Sequence, residues 1–256
     1  MPANELYAFD AEFIEVAFNA RPNAEAPQIV RHRLRKPTVA ELLEREQQIK
    51  YDLVEISSRE DEIQSDDEIA NARLWDKIAV AVKDYRGASD WRDLTAEDKA
   101  AMRPGHKTAA IRTMYASECA IEGEGDEGVS IGGDMWWVRQ SIGVNKDAPT
   151  FIIRHRLREP TEAERTKFKR SASSTSYVKG AKKAQVRVKT NLRAFIELYD
   201  ALIQTVYGGT VDGREWGDLF TPTGERTREL FTAMDPIFKR QVLQCLMSEL
   251  EAQLSD

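Results

Sequence analysis

Apolar and polar positions alternate along two stretches of the chain that match each other, residues 29–35 and 152–158. In the first stretch Val30, His32 and Leu34 lie on one face of an extended chain, and three arginines lie on the other. Another apolar, extended segment precedes each stretch, across a turn rich in Pro, Asn and Ala or Asp. The pattern predicts a β-hairpin at the start of each half of the chain.

A helix is predicted directly after each of these hairpins, because a proline ends the second strand. Thr38 and Glu41 have the spacing of a capping box, and so do Thr161 and Glu164. In a capping box the threonine hydroxyl accepts from a free backbone amide, and the glutamate reaches back to the threonine amide. Both helices therefore have a defined first residue in the sequence.

Longer helical patterns follow in each half. Apolar residues recur at helical spacing over residues 74–85 and 192–206, and a last helix is predicted from Asp235, because Pro236 suits the first helical position. Each half then consists of a β-hairpin followed by about four helices. We predict an α+β fold, mostly helical, with two homologous domains.

The two halves are copies of one sequence. Residues 29–41, IVRHRLRKPTVAE, and residues 152–164, IIRHRLREPTEAE, are identical at ten of thirteen positions. Further matches continue downstream at offsets that grow from 123 to 132, as small loop insertions would produce. This period is far longer than that of a solenoid repeat, so it indicates two copies of one domain.

A glycine-rich, acidic stretch, GEGDEGVSIGG at residues 123–133, separates the copies. Its composition is typical of a flexible linker. It also matches the GxGxxG pattern of dinucleotide sites, but that pattern needs a preceding strand and a following helix, and the acidic residues here repel phosphate. We predict a first domain over residues 1–122, this linker, and a second domain over residues 134–256.

The composition is that of an ordinary soluble protein. The 256 residues include 37 basic and 43 acidic side chains, net −6, and 41% are hydrophobic. No apolar run approaches the roughly 20 residues that span a bilayer, and no secretory signal is visible, so we expect a cytoplasmic protein. Cys119 and Cys245 are too few for a disulfide framework and too far apart for a CxxC motif.

Charge is distributed unequally between the copies. Residues 42–70 are net −7, whereas the matching residues 165–193 carry ten basic side chains and no acidic one. A run of charge is usually a solvated surface. Opposite signs at matching places also suit two sharper hypotheses. Either the windows pair, head to tail between chains or within one chain, or the basic window binds nucleic acid.

We favour a protein partner over nucleic acid, because only Phe168 and Tyr177 offer base stacking in the basic window and the whole chain is acidic. The arginine face of each repeated strand is a second candidate surface, suited to carboxylates or phosphates. The predicted interaction residues are Arg31, Arg33, Arg35, Arg154, Arg156, Arg158, Lys179, Lys182, Lys183, Arg187, Lys189, Arg193, Asp61, Glu62, Asp66, Asp67 and Glu68.

The sequence offers little for catalysis. His32 and His155 share their strand faces with apolar residues and lack neighbours at metal-ligand spacing, so packing is the simpler role. Flanking arginines disfavour the charged form of both imidazoles. His106 has Phe238 at the matching place in the second copy. No nucleophile, phosphate-loop or zinc motif occurs, so we predict no enzyme, cofactor or metal site, and rank a histidine enzyme third.

The repeated element (I/V)xRHRLRxPTxxE resembles the opening of some phage tail assembly chaperones, which are small, mostly helical, soluble proteins. The resemblance covers about 13 residues of each copy, and this chain departs from the usual single unit by being doubled. It implies a non-enzymatic protein of a bacterium or phage-infected host that binds other tail proteins during virion assembly. A nucleic-acid-binding module that uses residues 165–193 is the alternative.

Overall fold

The computed structural model describes residues 6–21, 23–57, 60–85, 89–124, 135–143, 151–177, 186–215 and 232–253. In these ranges the helices are α1 (Val39–Gln48), α2 (Glu68–Ile78), α3 (Ala96–Ala101), α4 (Pro104–Met114), α5 (Glu162–Ala172), α6 (Leu192–Leu202) and α7 (Pro236–Gln253). The strands are β1 (Tyr7–Ala8), β2 (Phe13–Asn19), β3 (Ile29–Arg35), β4 (Lys50–Ser57), β5 (Glu60–Asp66), β6 (Ala79–Lys83), β7 (Arg92–Asp93), β8 (Ser117–Glu124), β9 (Met135–Ile142), β10 (Phe151–Arg158), β11 (Ser173–Tyr177), β12 (Val186–Thr190), β13 (Ile203–Tyr207), β14 (Gly209–Val211) and β15 (Arg214–Glu215).

The order of elements repeats along the chain. The succession β2, β3, α1, β4, β5, α2, β6 recurs as β9, β10, α5, β11, β12, α6, β13. Helices α2 and α6 have 11 residues each, and a five-residue strand follows each of them directly. The sequence repeat is therefore accompanied by a repeat of secondary structure.

One compact unit, here unit I, comprises Phe13–Met114 and Arg170–Asn191. Its main sheet is antiparallel with strand order β2-β3-β6-β7. Helix α2 packs against α1, α4 and β3, and α4 packs against β2. The core consists of apolar side chains from the inner sheet face and these helices, among them Val16, Val30, Leu34, Leu42, Leu74, Trp75, Ile78, Val82 and Ile111.

The other compact unit, unit II, comprises Met1–Glu12, Tyr115–Lys169 and Leu192–Asp256. Its four-stranded sheet has the order β13-β10-β9-β8, and a smaller sheet has the order β1-β14-β15. Helix α7 packs against α6, β8 and β9. Its core is likewise apolar and includes Phe9, Val138, Ile153, Leu157, Leu192, Tyr199, Leu202, Val206, Phe238, Leu243 and Leu246.

Both predicted hairpins are confirmed. Strand β2 pairs with β3, and β9 pairs with β10, in continuous antiparallel register. Side chains on β3 alternate between buried and half-buried, with Val30, His32 and Leu34 inside. The period of two in the sequence marks the buried face correctly, because successive side chains of a strand point to opposite faces.

The prediction of a mostly helical fold, with a hairpin and about four helices in each of two repeated domains, is wrong. The described ranges contain fifteen strands beside seven helices, and each compact unit combines residues from both sequence halves. Residues 79–83 and 203–207, read as continuations of helices, are strands. Apolar residues four apart fit a helix, but they also fit a helix that ends and passes into a short buried strand.

The two charged windows also contain strands that the helical pattern did not predict. The acidic window holds the hairpin β4–β5, and the basic window holds the hairpin β11–β12. Both hairpins belong to unit I, and β4 contacts β12. The two segments of opposite charge thus lie together within one chain.

The predicted linker lies mostly outside the described residues. Strand β8 includes its first two residues, Gly123 and Glu124, and residues 125–133 are not described. The division of the chain at residues 123–133 therefore stays a prediction.

Candidate interaction surface

His32 is fully buried in unit I and belongs to a chain of hydrogen bonds. Trp75 Nε1 donates to His32 Nδ1 at 2.8 Å, and His32 Nε2 lies 2.7 Å from the Tyr85 hydroxyl. Since an indole N–H only donates, Nδ1 carries no proton and Nε2 donates to Tyr85. The Tyr85 hydroxyl lies 3.2 Å from His106 Nδ1. Burial, with a smaller repulsion from His106, lowers the pKa of His32 to about 3, so this imidazole is neutral at physiological pH.

His155 has the matching position on β10 and is also fully buried. Its Nδ1 lies 2.8 Å from the hydroxyl of Tyr199, which takes the place of Trp75. Burial lowers the pKa of His155 to about 3. The cause of neutrality in both copies is therefore mainly loss of water, and not the flanking arginines invoked from the sequence. Both side chains pack in a core, as the pattern of their strands indicates.

The second copy lacks the rest of this hydrogen-bond chain. Gly209 stands at the place of Tyr85, and Phe238 stands at the place of His106. A Cβ added to Gly209 would overlap the ring of Phe9, which is fully buried there. Within the described part of the chain, Nε2 of the second-copy histidine has no hydrogen-bond partner.

The last arginine of each repeated strand supports the following helix. Arg35 donates to both carboxylate oxygens of Glu41, at 2.9 and 2.6 Å, and Arg158 does the same to Glu164, at 2.8 and 2.6 Å. Each glutamate also accepts from the capping threonine. These hydrogen bonds, first of all those from the arginines, lower the pKa of both glutamates to about 2. This part of the motif serves the fold.

The other two motif arginines of unit I also have carboxylate partners. Arg31 forms an ion pair with Asp84. Arg33 forms one with Glu15 at 2.6 Å, and its guanidinium lies 4.3 Å from the ring centre of Trp91. On this sheet face the charges of two arginines meet those of two carboxylates.

The matching arginines of unit II have fewer carboxylate partners among the described residues. Arg154 lies 2.9 Å from Glu122, and the same carboxylate lies 3.7 Å from Arg139. Arg156 lies 5.8 Å from the ring centre of Trp137, with no carboxylate in ion-pair range among the described residues. Among the described residues, Arg139 and Arg154 therefore share one carboxylate, and Arg156 has none.

Register pairs explain the difference between the two sheets. Strand β3 places Arg33 opposite Glu15, whereas β10 places Arg156 opposite Trp137. An aromatic ring thus takes the place of the carboxylate. Arg154 is also opposite Arg139, and like charges at such a site repel each other unless a counter-charge is shared.

Two aromatic rings complete this surface. The rings of Trp137 and Tyr207 lie 5.8 Å apart at 32°, and 46% of Tyr207 is exposed. Tyr207 is paired in register with Arg154. We call this surface the Arg–aromatic face, and it consists of Trp137, Arg139, Arg154, Arg156 and Tyr207 with Glu122 at its edge. Arginine and large aromatic residues are the side chains enriched in the energetic centres of protein interfaces.

Of the predicted acidic residues, Asp66 and Glu68 are exposed. Asp67 is partly buried and pairs with Arg112 at 2.5 Å. Asp61 and Glu62 lie on β5, and their side chains are outside the described part of the structure.

The predicted basic residues are only partly described. Lys179, Lys182 and Lys183 lie outside the described residues, and Arg187 and Lys189 lie on β12, with their side chains not described. Arg193 is exposed in the first turn of α6.

Cations at the start of the basic window are drawn into pairs with acidic residues of the chain. Arg165 pairs with Glu159, and Lys169 pairs with Glu251 at 3.2 Å. Such pairs reduce the charge that this part of the window offers to a nucleic-acid phosphate.

The sequence reasoning missed four members of the Arg–aromatic face, namely Glu122, Trp137, Arg139 and Tyr207. A signal for two of them was present, because Trp137 and Arg139 alternate with the buried Trp136 and Val138 on β9. Tyr207 was not predicted to join this surface, because its segment was interpreted as the continuation of a helix and not as a strand.

The described residues contain no group of three or more His, Cys, Asp or Glu side chains that could hold a metal ion. Cys119 and Cys245 are free, and burial raises the pKa of Cys119 to about 12, so its thiol is protonated and unreactive at neutral pH. No helix in the described ranges is long and apolar enough to cross a membrane.

No protein-family model, curated protein or solved structure matches this chain.

Proposed function

We propose that the protein is a non-enzymatic assembly protein that binds other proteins, as a phage tail assembly chaperone or a structural component of the virion does. The observation that carries this proposal is the Arg–aromatic face of unit II, where three arginines lie beside two aromatic rings. Among the described residues, two of these arginines share the carboxylate of Glu122 and the third, Arg156, has none in ion-pair range. Such a surface supplies the side chains that commonly dominate binding energy between proteins.

The contacts of the buried histidines and of the last arginine in each repeated strand support the same proposal. The buried histidines are neutral, and Nδ1 of each forms a hydrogen bond with an aromatic side chain of the core. The arginines that end the repeated strands are occupied by capping glutamates. These residues stabilise the fold, which leaves the exposed charged and aromatic surface as the part available to bind a partner.

The test is co-expression with phage tail tube and tape-measure proteins, followed by affinity purification. We expect the wild-type chain to retain one of them. Arg154→Ala combined with Arg156→Ala should reduce the retained amount by at least about tenfold, which corresponds to a loss of about 1.4 kcal/mol of binding free energy. Arg31→Ala is the matched control, because it removes the arginine at the same register position in unit I.

The alternative, nucleic-acid binding through residues 165–193, is tested by reversing the charges of Lys179, Lys182, Lys183 and Arg187. Binding of wild type and variant to fluorescently labelled single-stranded and double-stranded oligonucleotides is then measured. Strong binding that falls steeply with salt, together with no retained tail protein, would contradict the proposed function. Weak oligonucleotide binding with a retained tail protein supports it.

A further inference from the structure

A second exposed surface, on unit I, complements the Arg–aromatic face. Ile69 is 51% exposed, the largest value among the exposed large hydrophobic residues in the described ranges. Asp66 and Glu68, both exposed, are its neighbours in the chain. We call these three residues the acidic Ile69 patch.

The charge around this patch is negative. Arg112 pairs with Asp67, and Asp66 and Glu68 add to the negative potential that raises the pKa of this arginine. Three carboxylates therefore surround one exposed guanidinium. The patch has an aliphatic centre with an acidic border, whereas the Arg–aromatic face has an aromatic centre with a basic border.

We propose that the acidic Ile69 patch of one molecule binds the Arg–aromatic face of a second copy. This inference rests on the proposed function, since it assigns a partner to the same face. In the contact, Ile69 lies on the rings of Trp137 and Tyr207, and the carboxylates meet Arg139, Arg154 and Arg156. Burial of apolar surface supplies affinity, and the opposite charges orient the two molecules.

The contact joins two different surfaces, so it is heterologous. After one contact forms, one molecule keeps a free face and the other keeps a free patch, so further copies add head to tail. Assembly of this kind grows with concentration. It weakens as salt screens the charges at the border of the contact.

The first experiment is sedimentation velocity of the full chain over a concentration series at low and at high salt. We expect oligomers that grow with concentration at low salt and dissociate at high salt. Arg154→Glu and Ile69→Arg should each yield a monomer, with an association constant reduced by at least about tenfold. Arg214→Glu and Val39→Arg are the matched controls. Arg214 is an exposed cation of unit II outside the face, and Val39 is an exposed aliphatic residue in the first turn of another helix of unit I.

Mixing the two monomeric variants tests the pairing directly. Arg154→Glu retains an intact patch, and Ile69→Arg retains an intact face, so one contact forms between them and no third molecule can add. We expect a heterodimer and no larger species. Circular dichroism and thermal melting of each variant show that it is folded.

A wild-type chain that stays monomeric at low salt would overturn the inference, and so would variants that associate as the wild type does. Loss of oligonucleotide binding in Arg154→Glu, with self-association unchanged, would assign the face to nucleic acid. A monomeric chain that still retains a tail protein would refute the self-contact and leave the proposed function standing. A chain that self-associates and retains no tail protein would support the self-contact and contradict the proposed function.

Discussion

The two histidines of the repeated motif show how one residue can be kept for structure alone. His32 and His155 are both completely buried, and Nδ1 of each lies 2.8 Å from the polar atom of an aromatic residue on helix α2 or α6. The partner is an indole in one copy and a phenol in the other. Both supply a hydrogen-bond donor on a flat, mostly apolar side chain, so the exchange preserves the packing and the bond.

The depressed pKa of these histidines predicts that the free energy of unfolding already decreases as the pH falls through the range above 4.5. The folded-state pKa of each is about 3, against 6.5 for an ordinary histidine, so below pH 6.5 the unfolded chain binds protons that the folded chain does not. Stability is therefore lost as the pH falls from about 6.5 towards 3. We expect a loss of about 1 kcal/mol per histidine between pH 7 and pH 5.5.

Urea unfolding at several pH values measures this loss, and imidazole nitrogen NMR measures the protonation. Glu41 and Glu164 act in a lower range, because their pKa is lowered from 4.5 to about 2, so their stabilisation is lost only below pH 4.5. The interval from pH 7 to pH 5.5 thus isolates the histidines. Titration of either imidazole near pH 6.5 in the folded protein would contradict the assignment.

At the scale of elements, both copies share an arrangement of a strand, a capped helix and the arginine that links them. The arginine at the end of the strand and the threonine at the helix start share one glutamate. The arrangement fixes the angle between strand and helix, because a bidentate guanidinium–carboxylate pair has a defined geometry. It is present in both copies with nearly equal distances.

Removal of the threonine hydroxyl should therefore have the same effect in both copies. Thr38→Ala and Thr161→Ala each leave a helix amide without its acceptor. We expect each to reduce the free energy of unfolding by about 1 kcal/mol. Denaturant unfolding checks this. A lower free energy of unfolding for one variant and an unchanged value for the other would show that the motif has different structural roles in the two copies.

The helix–strand succession is the other element-scale feature of both copies. Helix α2 ends at Ile78 and α6 at Leu202, and the following strand joins the sheet at once. Each of these strands pairs with the arginine-bearing strand, β3 or β10. The histidine and the aromatic residue of its hydrogen bond are thereby brought together from positions more than 40 residues apart.

At the scale of the whole molecule, chain order and compact units do not coincide. Met1–Glu12 is grouped with the second half of the chain, and Arg170–Asn191 is grouped with the first. In the first of these segments, β1 pairs with β14, and Phe9 lies against Gly209. The first residues of the chain thus complete a unit whose other residues follow more than 100 positions later.

Substitution of Gly209 by alanine tests this arrangement. The added methyl group would overlap the ring of Phe9, so we expect the free energy of unfolding to fall by about 1–3 kcal/mol. Hydrogen exchange should increase in β1 and β14. Gly105→Ala is the matched control, because a Cβ there meets nothing within 4 Å and alanine favours the helix α4. Unchanged exchange in β1 would contradict the packing of Phe9 on Gly209.

The sequence by itself determined the local features. Alternation of side chains identified the hairpins and their buried faces, because a strand has a period of two. Residue spacing identified both capping boxes, because the bonds of a cap lie within one helical turn. Comparison of the copies also matched Asp76 with Asp200 and Lys107 with Lys239 by position.

Only the tertiary structure decided what these matched residues contact. Lys107 pairs with Asp76, and Lys239 pairs with Asp200, each at 2.6 Å. In each pair the two residues lie on different helices, and the sequence pattern of a helix does not indicate which other helix packs beside it. The strands that follow α2 and α6 escaped prediction, because a short buried strand has no periodicity that separates it from a helix. The same holds for the Arg–aromatic face. Its members lie on four strands, and hydrogen bonding between those strands, rather than their order in the chain, brings the charges and rings onto one surface.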